Sequence, residues 1–200
     1  MQKIGIVLGT LLLASSCIGW LFWQQDVQYR IPTVIPEGFD TTVKVVKETM
    51  QTALPALTKS FRLVHFYNPD CPCSKFNAQH INALLHRYGQ YVTLTVVIPE
   101  WADLDKAKRA WERLADTVMK DYYQTLATMC GVYSTPQAVL LSSEQEVLYK
   151  GNYNTSRYCS NTKTEFVRLA IEQALTEKPK SAIYSGVPYG CPITTCIKNE

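Results

Sequence analysis

One stretch constrains this chain more than any other: Phe61 to Tyr67 (FRLVHFY), followed at once by Asn68-Pro69-Asp70-Cys71-Pro72-Cys73-Ser74. The first part is short, apolar and rich in β-branched and aromatic residues, the pattern of a buried strand. Beyond the turn, Ile81, Leu84, Leu85 and Tyr88 recur at helical spacing, and Gly89 follows as a stop signal. Two cysteines around one proline are therefore expected where a strand ends and a helix begins. At a helix start the dipole is positive and several backbone N–H groups lack partners, so a thiolate is stabilised there. Lys75 adds a nearby cation. A cysteine pair in that position points to redox chemistry.

The rest of the chain has room for one domain plus an anchor. It has 200 residues, of which 46% are hydrophobic, enough for a packed core without disulfides to compensate for a small one. A net charge of +3 without a basic stripe gives no reason to expect a nucleic-acid partner. Seven cysteines mean metal binding or redox catalysis in a reducing compartment, and bridges as well in an oxidising one. Residues Ile4 to Trp23 carry no charge, which is about the length a helix needs to cross a hydrocarbon core. Lys3 precedes that run, and Trp20 and Trp23 lie near its far end, as interfacial aromatics do. A cleaved signal peptide and a lipoprotein signal ending at Cys17 are the rival readings. Both are disfavoured by the apolar run continuing through Ile18, Trp20, Leu21 and Phe22. An uncleaved single-pass anchor is expected, with Lys3 inside and the body outside.

Read in order, residues 1–3 are a short cytoplasmic end, 4–23 the anchor, and 24–56 a tether with a leading helix over Thr41–Leu57. Met50 lies on the inner face of that helix beside Val43 and Val46, and Pro55 ends it. A second strand is expected at Tyr91–Ile98, then mostly helix from Trp101 to Cys130 with Leu104, Ala107, Trp111, Leu114 and Val118 as its stripe. Gln137–Leu141 and Glu146–Lys150 read as a hairpin. Thr164–Leu175 reads as a last amphipathic helix with Phe166, Leu169, Ala170 and Ala174 inward, and residues 177–200 form a cysteine-containing tail. There is no internal repeat.

This order, the cysteine turn after the first core strand and Thr135-Pro136 before the hairpin together resemble the thioredoxin-like superfamily over residues 57–176. Within it the chain is most similar to the membrane-anchored TlpA-like and redoxin-domain branch. Phe66 to Pro72 matches the pattern in which an apolar strand leads into a Cys-Pro step. The stretch from Pro99 to Gly131 resembles the branch's insertion, and Gly190-Cys191-Pro192-Ile193 a tail found in some members. The resemblance implies an α/β fold, with a central mixed β-sheet flanked by helices after the N-terminal transmembrane helix. It also implies a cis Pro136 that, with Thr135, faces the substrate. It places the chain in a bacterial inner membrane with its body in the periplasm. There it would exchange disulfides with protein substrates and a membrane or periplasmic redox partner, without a cofactor.

The motif departs from Cys-x-x-Cys: Cys71-Pro72-Cys73 is one residue shorter. Cys71 is expected as the attacking and more exposed thiol and Cys73 as the resolving one, although so short a ring is strained and a distant cysteine is the alternative. Asp70 stands directly before Cys71, and its carboxylate disfavours a thiolate there. Cys130, Cys159, Cys191 and Cys196 are candidates for structural or resolving roles. A Cys130–Cys159 bridge, a local Cys191–Cys196 bridge and a tail that reaches Cys71 all remain open. The competing function is soft-metal binding or copper delivery through the Cys71 and Cys73 thiolates. His65, His80 and His86 are poorly spaced to complete such a site. Peroxidase chemistry lacks the activating threonine, since none lies between Phe61 and Cys71.

Overall fold

The computed structural model describes residues 2–25, 27, 31–45, 47–156, 158–176, 183–184 and 186–193. Helix α1 (Gln2–Gln25) has exposed side chains at every residue from Lys3 to Gln24. By length and composition it can cross a membrane. A short helix α2 (Lys47–Ala53) follows, well inside the expected span Thr41–Leu57, and buries Met50.

The body is a six-stranded mixed sheet in the order β3-β2-β1-β5-β6-β7. Strand β1 (Phe61–Phe66) runs parallel to β2 (Val92–Pro99) and antiparallel to β5 (Gln137–Leu141). All eight residues of β2 are buried, as a central strand covered on both faces requires. Strand β6 (Val147–Gly151) completes the hairpin with β5, and β7 (Ile183–Tyr184) adds in parallel to β6. Alternation along β1 separates two cores. Leu63 and Tyr67 pack with Ile81 and Leu84 of α3 (Pro72–Tyr88) and with Val167 and Ile171 of α6 (Phe166–Thr176). Val64 and Phe66 pack on the opposite face with Met50 and with Leu126 and Ala127 of α5 (Thr125–Met129). This is a thioredoxin-like fold.

Three local expectations change. The region from Trp101 to Cys130 is not one or two helices: α4 (Leu104–Trp111) stops, and β3 (Thr117–Asp121) pairs in parallel with Thr95–Pro99. The open edge of β2 provides pairing that outweighs the helical spacing of Leu114 and Val118. In α6, Phe166, Ala170 and Ala174 pack against the core as expected, but Leu169 is 39% exposed and Val167 and Ile171 are buried in its place. The tail is not separate from the domain. Besides β7, its strand β8 (Cys191–Pro192) pairs with β4 (Ser134–Thr135).

Candidate active site

The first core strand delivers the chain to Asn68, whose buried amide builds the turn. Its Oδ1 accepts the Asp70 N–H at 2.9 Å, and its carbonyl accepts the Cys71 N–H at 3.1 Å. Cys71 is the N-cap of the 17-residue helix α3, in extended backbone, and Pro72 takes the first helical position. A proline there costs no hydrogen bond, because that N–H has no intrahelical partner anyway. Cys71 is thus fixed at the positive end of α3. The Asp70 carboxylate forms an ion pair with Lys106 of α4, so its charge beside Cys71 is partly offset.

Opposite the helix start lies the Thr135–Pro136 peptide bond, which is cis. The Cys71 sulfur is 3.6 Å from the Thr135 carbonyl oxygen. Cys71 is bonded to Cys191, 120 residues away, with the two Cα atoms 6.0 Å apart, an ordinary separation for a disulfide. Strand pairing sets that bond: Cys191 is the antiparallel partner of Thr135, and the Thr135 hydroxyl donates to the Cys191 carbonyl at 3.4 Å. Cys71, Thr135, Pro136 and Cys191 therefore converge.

The remaining cysteines do not join them. Cys71 is linked to Cys191 and not to Cys73; residues two apart at a helix start do not face each other. Nor is Cys71 the more exposed thiol, since in this bonded form both cysteines are buried. The Cys130–Cys159 bridge is not formed. Cys130 packs in the core with Met50, whereas Cys159 packs against the core with Leu63, so the sheet lies between them. Burial pushes both thiols up to about 12. Cys159 donates to Asn77 Oδ1 at 3.0 Å. Cys191 is bonded elsewhere than to Cys196, which itself lies outside the described residues.

His65 is fully buried, 2.9 Å from the Tyr153 hydroxyl through Nδ1 and edge-on to Trp111 at 4.9 Å. Burial pulls its pKa down to about 3, so it is a neutral core imidazole. Among the described residues no three His, Cys, Asp or Glu side chains converge as a metal site would need. With Cys71 bonded to Cys191, the thiolate pair required for a soft ion is not available in this state.

Three residues here had no assigned role in the sequence. Gly190 (φ +118°) passes so close to the cis-proline strand that a Cβ would lie 2.1 Å from the Thr135 oxygen. Ile193 is 4% exposed and joins the core of Phe66 and Val97. Thr33 holds the tail from its other side, its N–H donating to Pro188 O at 2.9 Å and its hydroxyl to Gly190 O at 3.2 Å. The Gly-Cys-Pro-Ile pattern was the available signal for the first two; Thr33 had none.

A family model for a domain of unknown function, DUF6436, matches residues 41–194. The chain belongs to the DUF6436 family. That span includes Cys71, Thr135, Pro136 and Cys191, the tail strand among them, but not Thr33. Comparison with curated proteins gave no match. Among solved structures, this DUF6436 chain is similar to an uncharacterized conserved protein from Geobacillus kaustophilus. The two are 19% identical over 68% of this chain and 77% of that one, with a TM-score of 0.56. A hypothetical protein from Sinorhizobium meliloti is 21% identical over 68% of this chain and 79% of its own, with a TM-score of 0.55. A fainter likeness reaches the thioredoxin domain of a thiol-disulfide oxidoreductase from Bacteroides vulgatus. It has a TM-score of 0.40 at 15% identity, over 50% of this chain and 74% of that one. At these identities the property shared with the Geobacillus and Sinorhizobium proteins is the fold.

Proposed function

We propose that this protein is a membrane-tethered, extracytoplasmic thiol-disulfide oxidoreductase acting on protein thiols and disulfides, with Cys71 and Cys191 as its redox pair. The observation that carries this reading is the Cys71–Cys191 bond seated at a helix N-terminus against a cis proline. In the reduced protein the α3 dipole favours the Cys71 thiolate. That thiolate attacks one sulfur of a substrate disulfide, forming a mixed disulfide and releasing the other sulfur as a thiolate. The Cys191 thiolate then attacks the Cys71 sulfur, forms the Cys71–Cys191 bond and releases the second substrate thiolate. Two electrons pass from the protein dithiol to the substrate disulfide, and a dithiol partner in the membrane or periplasm returns them. Run in reverse, the same bond oxidises a substrate dithiol, and the direction is set by the partners' potentials. Thr135 and Pro136 face the substrate. Helix α1 serves as the anchor, holding the body on the periplasmic side of the inner membrane.

The test uses the full chain in detergent with insulin as substrate and dithiothreitol as electron donor. Cys71→Ser abolishes turnover. Cys191→Ser forms mixed disulfides that accumulate, whereas Cys73→Ser still turns over. Retained turnover in Cys71→Ser, or trapping by Cys73→Ser with Cys191→Ser unaffected, overturns the assignment.

A further inference from the structure

The disulfide is only one of the ties that seat the tail. Cys191 and Pro192 pair antiparallel with Thr135 and Ser134, and the Ile193 N–H donates to Tyr133 O at 2.9 Å. The Ile193 side chain is buried in the apolar core cluster that holds Phe66, Val97 and Ala127. On the outer side, Pro32 bridges to Tyr189, beside the two hydrogen bonds from Thr33. The tail therefore lies as an added strand along the cis-proline edge. An extended polypeptide is read in the same way, with its backbone recognised by the ladder and alternate side chains by pockets. In the tail those features are a glycine at the close approach, a cysteine at Cys71 and an aliphatic side chain two residues on.

We propose that the Ser134–Thr135 edge is a single seat with two occupants in turn. The tail fills it in the disulfide form. Reduction removes the covalent tie and the tail vacates the edge for an extended segment of the partner protein that carries Gly-Cys-x-aliphatic. Both strands cannot pair with Thr135 at once, so the returning tail evicts the partner segment as Cys191 takes over the bond to Cys71. This rests on the reading of Cys71 and Cys191 as the redox pair and adds to it a substrate pattern and a redox-gated binding edge.

The test uses the full chain in detergent micelles and a fluorescent peptide, Tyr-Gly-Ser-Pro-Ile, in which serine replaces the cysteine so that binding is non-covalent. The reduced chain and a Cys191→Ser chain bind it saturably, and the oxidised chain binds at least tenfold more weakly. Alanine for the peptide glycine, or aspartate for its isoleucine, weakens binding to the reduced chain at least tenfold. Hydrogen exchange at the Ile193 amide accelerates at least tenfold on reduction while the Leu63 amide stays protected. Equal binding in both redox states, binding in neither, or an unchanged Ile193 amide overturns the shared seat and leaves the redox assignment standing. Absence of a Cys71–Cys191 link in the air-oxidised chain overturns the redox assignment and the shared seat with it.

Discussion

Replacing Gly190 with alanine tests whether backbone pairing of the tail governs the disulfide. Gly190 has φ +118°, and an added Cβ would lie 2.1 Å from the Thr135 oxygen and 3.0 Å from its carbonyl carbon. The obstacle is backbone, so no side-chain rotation relieves it. Forcing an L-residue into such a conformation costs about 1–3 kcal/mol. If the tail shifts instead, the Thr135–Cys191 pairing is weakened by a comparable amount. If the tail is unpaired in the reduced state, as proposed above, that state bears none of this cost, so the penalty falls on the oxidised form and the bond becomes easier to reduce. A loss of about 2 kcal/mol raises the potential of this two-electron couple by about 40 mV, at 30 mV for about 1.4 kcal/mol. The assay is an equilibrium titration of the full chain in detergent against glutathione, read by alkylation and intact mass. Gly186→Ala is the control, because nothing lies within 4 Å of where its Cβ would be. A Gly190→Ala potential no different from wild type, or a shift equal to that of Gly186→Ala, would refute the reasoning.

Other expectations concern stability and reactivity. Asp121 is buried and its carboxylate accepts the Leu126 and Ala127 N–H groups at 2.9 and 2.8 Å, starting α5. Asp121→Ala should cost about 2 kcal/mol in urea unfolding, and Asp121→Asn, which keeps one acceptor oxygen, clearly less. The His65 pKa falls from 6.5 to about 3 on folding, so between those values the unfolded chain binds more protons. Its contribution is fully present above pH 6.5 and is lost as pH falls toward 3. By pH ~4.5 that amounts to about 3 kcal/mol, at roughly 1.4 kcal/mol per pH unit. His65→Asn should flatten the acid limb of the stability profile relative to wild type, and an unchanged slope refutes the assignment. In the reduced native chain at pH 8, iodoacetamide should label Cys71 and Cys191 well before Cys130. A thiol pushed up to about 12 is thiolate in only about one molecule in ten thousand at that pH. Mass mapping of the labelled sites checks this.

Local signals were legible where a segment's own residues decide its conformation. The strand Phe61–Phe66, the proline-bearing start of α3, the all-buried β2 and the β5–β6 hairpin follow from periodicity and turn residues. Thr135-Pro136 was legible only through its resemblance to a family pattern. What stayed hidden depends on distant partners. Thr117–Asp121 becomes a strand because β2 offers an open edge, a fact external to its own spacing. Leu169 is exposed while Val167 and Ile171 join the core, a choice set by the sheet against which the helix packs and not by the spacing within it. The choice of Cys191 over Cys73 depends on a strand pairing between residues more than 50 apart. Six cysteines outside α1 permit too many pairings for sequence alone to choose.

Thr33 and Pro32 give the tether a second consequence. Gln25 ends α1, and Pro32 is already docked on Tyr189, so only six residues separate them. Even fully extended, that connection reaches about 25 Å. Were α1 embedded in a bilayer, the body would be moored on a short line whose far end is fastened to the same tail that carries Cys191. On the proposed membrane-tethered reading, a partner exchanging electrons with Cys71 would work close to the lipid headgroups. Release of the tail, as proposed for the reduced state, would then lengthen the mooring and let the body stand farther from the membrane.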